Sequence, residues 1–288
     1  MFIKDGIEDV NCPWCGGLDN RKWCEDEAPF LTVQCLECGV VYVKQRLNEY
    51  ARIEYYKNYN SEKHQEAVKS SLREKMYKIE NEFVTSFVKE GNILDVGCGG
   101  GFFLDTFTDP KYIKYGVEYG EDGFNVANKK YPEKILKGEF PLLDSIGDNS
   151  MDLIIFRGVL EHVVNPKDYL LKAKRTLKNG GYIFISATPN LSSLCADLFR
   201  NNFNQHIPAE HIIHFSDNHF KDFLKEHNIQ LVSERVFYEE TPYANIYEDA
   251  KKITKALLLK EQGKTVDFRS PAWYGNMMTL LFQKRELI

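Results

Sequence analysis

The chain has 288 residues, 43% hydrophobic and 27% charged, with a net charge of −5 and a pI near 5.9. This fits one globular domain with a small appendage. No apolar run approaches the ~18–20 residues of a membrane helix, and the opening MFIKDGIEDVN lacks the apolar stretch of a secretory signal, so a cytoplasmic location is expected. The acidic balance argues against a nucleic-acid partner, which requires a basic face.

Residues 1–45 hold two cysteine pairs, CPWCGG and CLECG, and a short β-like run, VVYV. Cys12-x-x-Cys15 and Cys35-x-x-Cys38 are separated by 19 residues, the spacing of a zinc ribbon. Gly16 and Gly39 follow the pairs and relieve crowding where backbone amides turn toward thiolate sulfur. Four thiolates at ~2.3 Å saturate tetrahedral zinc, so the expected ion is structural; an iron site of the same shape is the alternative. Cys24, Cys98 and Cys195 read as packed thiols. The segment carries four basic and eight acidic side chains, a balance of −4 that repels phosphate backbones.

Residues 46–90 are polar, tyrosine-rich and mostly helical in pattern, ending at Gly91. From residue 92 strands and helices alternate. NILDVG precedes helix-like GFFLDTFTD, IKYGVE precedes GEDGFNVANKKY, and KILKG follows. MDLIIF then precedes NPKDYLLKAKRTLK, and Gly180-Gly181 turns into YIFIS. This rhythm predicts an α/β fold, a mostly parallel sheet with helices on both faces, over residues 91–288. Residues 191–215 and 239–272 read as insertions; between them lie helix DNHFKDFLKEHN and strand QLVSERVFY, and apolar MMTLLFQK forms the last strand.

The segment DVGCGGG, Asp95 to Gly101, places glycines between a strand and the next element, where bare backbone can approach a ligand. A dinucleotide fingerprint would need its third glycine at 102, which is Phe102, and no G-K-[ST] follows, which excludes a P-loop. Glu118 lies 23 residues after Asp95, a distance suited to a carboxylate reading ribose hydroxyls.

DVGCGGG, the acid in GVEYG, MDLIIFRGVLEHVVNP and LKNGGYIFISATPN, in this order, resemble the motifs of class I S-adenosylmethionine-dependent methyltransferases. LEHV and HIIHFS look closest to the branch of ubiquinone-pathway O-methyltransferases and sugar methyltransferases. The resemblance covers roughly residues 80–235 and the final strand. It implies a Rossmann-like, seven-stranded sheet with an antiparallel last strand. It implies a donor site at Asp95, Gly97, Gly99, Gly101 and Glu118, with the adenine near Glu139 and Phe140 and the Arg157 carbonyl at the methionyl amine.

On the acceptor side, His162 is a candidate base, with Glu161 orienting it or the two holding a divalent metal; a purely structural role for both is the alternative. His211, the first histidine of the family's H-[IL]-x-x-[FY]-[ST] segment, is expected to line the acceptor pocket, while His214 and His219 cap or pack. Tyr50, Tyr55, Tyr56 and Tyr59 either cover the donor's sulfonium or pack on the ribbon. The resulting expectation is O-methylation of a sugar or nucleotide-linked sugar, a small-molecule or glycan acceptor of surface-polysaccharide synthesis. RNA or quinone-like phenol methylation, and a donor-binding regulator without catalysis, are the rivals.

Overall fold

The computed structural model describes residues 6–59 and 71–286, and side chains within 6–55 and 71–286. Four short strands build the N-terminal ribbon: β1 (Ile7–Asp9), β2 (Asn20–Lys22), β3 (Leu31–Cys35) and β4 (Val41–Leu47). Helices α1 (Glu49–Tyr59) and α2 (Ser71–Phe87) connect it to a second sheet. That sheet holds β5 (Gly91–Val96), β6 (Tyr112–Glu118), β7 (Ile135–Lys137), β8 (Met151–Arg157), β9 (Leu177–Pro189), β11 (Ile229–Glu234) and β12 (Met277–Lys284). Its order is β11-β12-β9-β8-β5-β6-β7, with β12 antiparallel to both neighbours and the β9-β8-β5-β6-β7 ladders parallel.

Strands covered on both faces need apolar residues at consecutive positions rather than alternate ones. In β5, Ile93 joins Leu153, Ile155, Phe184 and Leu281 on one face, with Phe83 and Val84 of α2 and Ala127 of α3 (Glu121–Lys130). Leu94 and Val96 join Ile154, Phe156, Ile183 and Ile185 on the other. There α4 (Pro166–Thr176) contributes Leu170 and Ala173, and α6 (Asp217–Glu226) contributes Phe220 and Leu224.

Two features differ from the sequence reading. GFFLDTFTD forms only a 3-10 turn at Leu104–Thr106. Asp109 precedes Pro110 and is biased away from helix, and the Thr106 hydroxyl donates to the Phe103 carbonyl at 2.6 Å, so the chain turns early toward β6. The ribbon also extends past residue 45 in space. Strand β10 (Ile213–His214), from the 191–215 insertion, pairs antiparallel with Val41 and Tyr42 of β4. Cys12, Trp14, Val33, Cys35, Val40 and Tyr42 of the ribbon share one apolar cluster with Leu94, Val96 and Phe156. Trp14 meets Phe215 and Phe223 at ring distances of 5.3 and 5.4 Å. The two insertions pack on each other through α5 (Leu194–Phe199) and α7 (Ile246–Glu261), burying Phe199, Phe203, Ile253 and Ala256.

Candidate active site

The carboxyl ends of the parallel strands open on a cleft of about 840 Å³, which receives residues from both halves of the expected site. The loop after β5 is tied to β6, with the Gly97 and Cys98 amides both donating to the Val117 carbonyl at 2.8 and 3.0 Å. Gly97 has φ +72°, and a Cβ there would stand 2.8 Å from Val159 Cγ2. Gly99 has φ +53°, and nothing lies within 4 Å of where its Cβ would stand, so its bare face opens on the cleft. This is the cradle an extended ligand needs. Gly101 is elsewhere: it abuts the Tyr131 ring and Ala127 of α3.

Glu118 ends β6 with both oxygens engaged: Gly99 N–H donates to Oε2 at 2.7 Å and Gly120 N–H to Oε1 at 2.6 Å. Burial raises its pKa above the ordinary carboxyl value, and these amide bonds pull against that. Asp95, 3% exposed, is pushed up to about 8 by burial, with Glu118 and Glu80 adding repulsion and Arg157 opposing it. Glu139 lines the cleft. Phe140 does not: its ring is fully buried against Phe156 and Tyr169, and Pro141 and Leu142 line the wall instead.

The Arg157 side chain also enters the donor half. Its Nε donates to Glu80 Oε2 at 2.6 Å, and its guanidinium lies 4.4 Å from the Tyr77 ring centre. Glu80 and Tyr77 lie on the buried face of α2 with Phe83 and Val84, a face the sequence shows by spacing, while nothing local to Glu80 marks it as the partner of Arg157.

Opposite the glycine loop, Glu161 is 1% exposed and accepts from Thr188 Oγ1 at 3.2 Å. Burial pushes its carboxyl up to about 8. His162 Nε2 lies 4.0 Å from Glu161 Oε1, and the His162 and His211 rings meet edge to face at 4.7 Å. Burial, with His211 beside it, holds the His162 pKa down to about 3, so the ring is neutral at physiological pH. His211 Nδ1 faces the Gln205 carbonyl at 2.6 Å, which fixes Nδ1 as the donor. One ligand atom from each of Glu161, His162 and His211 lies within 4.8 Å of the others, so the trio could also hold a divalent ion. The Glu161 carbonyl accepts from the Ile212 and Ile213 amides, which holds His211 beside it.

His214 and His219 lie away from the cleft. His219 accepts from the Ser216 amide in a capping box at the start of α6, and its Nε2 meets the Cys38 carbonyl at 3.0 Å. Tyr50 is exposed, and Tyr55 donates to Glu210 Oε1 at 2.6 Å; the side chains of Tyr56 and Tyr59 lie outside the described residues.

The four ribbon cysteines converge. Cys12 and Cys38 Sγ are 3.5 Å apart, as are those of Cys15 and Cys35, and all four sulfurs lie within 4.8 Å of one another. Disulfide sulfurs stand ~2.05 Å apart, whereas four thiolates ~2.3 Å from one ion stand near the observed spacing. Gly16 and Gly39, at φ +79° and +82°, turn their amides back to the Cys12 and Cys35 carbonyls.

Residues 65–234, more than half the chain, match the family described as methyltransferase domain, and the chain belongs to it. It is 35% identical over 112 residues to uncharacterized protein MJ1123 of Methanocaldococcus jannaschii, covering 38% of this chain and 51% of that one. It is 31% identical over 103 residues to ubiquinone biosynthesis O-methyltransferase of Glaesserella parasuis, covering 33% and 44%. The chain thus spans about half or less of these curated relatives. Among solved structures, a chain of the Haloferax volcanii Trm112 activator–methyltransferase complex matches with a TM-score of 0.58 at 11% identity, covering 80% of this chain and 98% of that one. The 1,6-didemethyltoxoflavin-N1-methyltransferase of Burkholderia thailandensis matches with a TM-score of 0.54 at 13% identity, covering 92% and 100%. The fold is that of the class I S-adenosylmethionine-dependent methyltransferases. Among the described residues no helix is long and apolar enough to cross a membrane.

Proposed function

We propose that the protein methylates a hydroxyl of a sugar or nucleotide-linked sugar, with S-adenosylmethionine as donor. The observation that carries this reading is the meeting of Glu161, His162 and His211 with the open face of Gly99 in one cleft. S-adenosylmethionine, when bound, supplies a methyl on a positively charged sulfur. The Gly99 backbone and the Glu118 carboxylate would hold it, the latter on the ribose hydroxyls, with Asp95, Glu139 and the Arg157 carbonyl beside them. His162, neutral at rest, takes the proton as the acceptor oxygen forms its bond to carbon and the sulfur–methyl bond breaks. The positive charge that leaves sulfur reappears on the imidazole as it takes the acceptor's proton, with Glu161 4.0 Å away to orient the ring, and the imidazole gives that proton to solvent when the product leaves. His211, fixed through Nδ1, positions the acceptor.

Beyond these histidines the cleft presents Asn204, Gln205 and Thr241 beside Tyr238 and Trp273. Amides and hydroxyls next to aromatic faces suit a sugar. The similarity to ubiquinone biosynthesis O-methyltransferases favours a second reading, a quinone-like phenol at the same site. In the ribbon, Cys12, Cys15, Cys35 and Cys38 would hold one structural zinc with no open position.

The test is turnover with labelled donor across nucleotide sugars, glycans, phenols and RNA, followed by His162→Ala on the active acceptor. Loss of a general base lowers turnover by about 10²–10⁴ with donor affinity nearly intact. His211→Ala should raise the acceptor KM more than it lowers kcat. If His162→Ala turns over like the parent and chelator has no effect, the base assignment is wrong. Chelator sensitivity, with Glu161→Gln as damaging as His162→Ala, would replace the base by a bound divalent ion.

A further inference from the structure

Cys24 is not an isolated packed thiol. Its Sγ lies 3.5 Å from Asp26 Oδ1 and 3.5 Å from His206 Nε2, and those two atoms are 2.7 Å apart. Cys24 and Asp26 come from the ribbon segment between β2 and β3, and His206 from the 191–215 insertion. The side chains of Asp26 and His206 are each 2% exposed.

Two simpler readings fit poorly. In a nucleophile–histidine–carboxylate triad the thiol and the acid meet opposite ring nitrogens. Here both meet Nε2, so the ring relays nothing between them. An Asp26–His206 hydrogen bond alone leaves the thiol only a 3.5 Å contact with the same carboxylate oxygen.

Three ligand atoms this close can instead share one metal ion, which would replace the 2.7 Å hydrogen bond between His206 Nε2 and Asp26 Oδ1. From edges of 3.5, 3.5 and 2.7 Å, the equidistant point in the plane lies about 1.9 Å from each atom. An ion ~1 Å above that plane stands ~2.1 Å from all three, within zinc's reach to nitrogen and oxygen and ~0.2 Å short of its thiolate distance.

The surroundings are those of a built site. The free ring nitrogen of a metal-bound histidine is normally fixed by a second bond, and so are the ligating carboxylates. His206 Nδ1 lies 3.0 Å from His214 Nε2, and Asp26 Oδ2 accepts from the Thr32 amide at 2.6 Å. Trp23 closes the cluster, edge to face with His206 at 5.3 Å and stacked on His214 at 5.8 Å.

We propose that Cys24, Asp26 and His206 form a second metal site, selective for a borderline divalent ion such as zinc, which staples the ribbon to the insertion carrying His211. The mixed donor set chooses the ion: thiolate with imidazole disfavours magnesium and calcium, and one carboxylate leaves affinity below that of four thiolates. The staple joins positions 180 residues apart and ends five residues before His211. The proposal is independent of the four-cysteine site and of the acceptor.

The test is metal stoichiometry on the full chain with zinc in excess, then cobalt titration of the chelated protein. The expected result is one ion at the four cysteines and a second at this site, removed first by a mild chelator, with two cobalt spectra that differ in thiolate charge-transfer intensity; an ion at Glu161, His162 and His211 would show no thiolate band and would be unaffected by Cys24→Ser. Cys24→Ser and His206→Gln should each bind one ion fewer and keep the strong four-thiolate spectrum, whereas Cys35→Ser should lose that spectrum and keep the weaker one. One ion lost in Cys24→Ser but none in Cys35→Ser would support this site and remove the ribbon's. A single ion per chain in the wild type, lost with Cys35→Ser, would overturn the proposal even if Cys24→Ser failed to fold.

Discussion

Donor binding should release a proton from Asp95. Its carboxyl is 3% exposed and pushed up to about 8 by burial, with Glu118 and Glu80 as like charges nearby and Arg157 as the opposing one. At pH 7 roughly nine in ten free molecules therefore hold the proton. A cation brought to ~4 Å at an effective dielectric of ~20 contributes about 4 kcal/mol, which would lower the pKa by about three units. Bound enzyme would then carry an ionised Asp95, and ~0.9 proton leaves on binding at pH 7. The sign follows: donor affinity rises about tenfold per pH unit between about 5 and 8 and flattens above 8. Calorimetry at pH 7 in buffers of different ionisation heat measures the release directly. Asp95→Asn should abolish most of it, and S-adenosylhomocysteine, whose sulfur is neutral, should release less. A buffer-independent enthalpy with flat affinity from pH 6 to 8 in the parent protein would refute the reasoning.

Glu80→Gln strands the Arg157 guanidinium without its 2.6 Å partner. Breaking a buried pair costs about 3–5 kcal/mol, here reduced because Asp95 can ionise in compensation; a denaturation midpoint unchanged from the parent would contradict it. Cys35→Ser should lower the stability of the whole chain in a single calorimetric transition, because ribbon and sheet share one apolar cluster and the β4–β10 ladder. Two separate transitions would mean that the ribbon melts alone.

The order of strands and helices, the glycine loop and the cysteine pairs were legible in the sequence because each is written in local spacing. Period-2 and continuous apolar runs mark strands β5, β8 and β9; D-x-G-x-G-x-G marks a backbone that must stay bare; C-x-x-C marks a turn that points two thiols one way. Asp95 and Glu118 sit at the ends of β5 and β6, and Glu161 and His162 in the loop that follows β8, so the strand–loop alternation places them on one rim. Tertiary structure decided what depends on distant segments meeting. The shortness of the turn after the glycine loop, the burial of Phe140, and the ion pair of Arg157 with Glu80, 77 residues apart, follow from packing against neighbours the local pattern does not name. The same holds for how the ribbon is attached. The cysteine pairs mark residues 1–45 as a ribbon, but not that the part of the β4 edge left open by β1 takes up Ile213–His214, or that Cys24 and Asp26 meet His206. A strand edge carries unsatisfied amides and carbonyls whatever its sequence, and which segment covers it is settled by the folded chain.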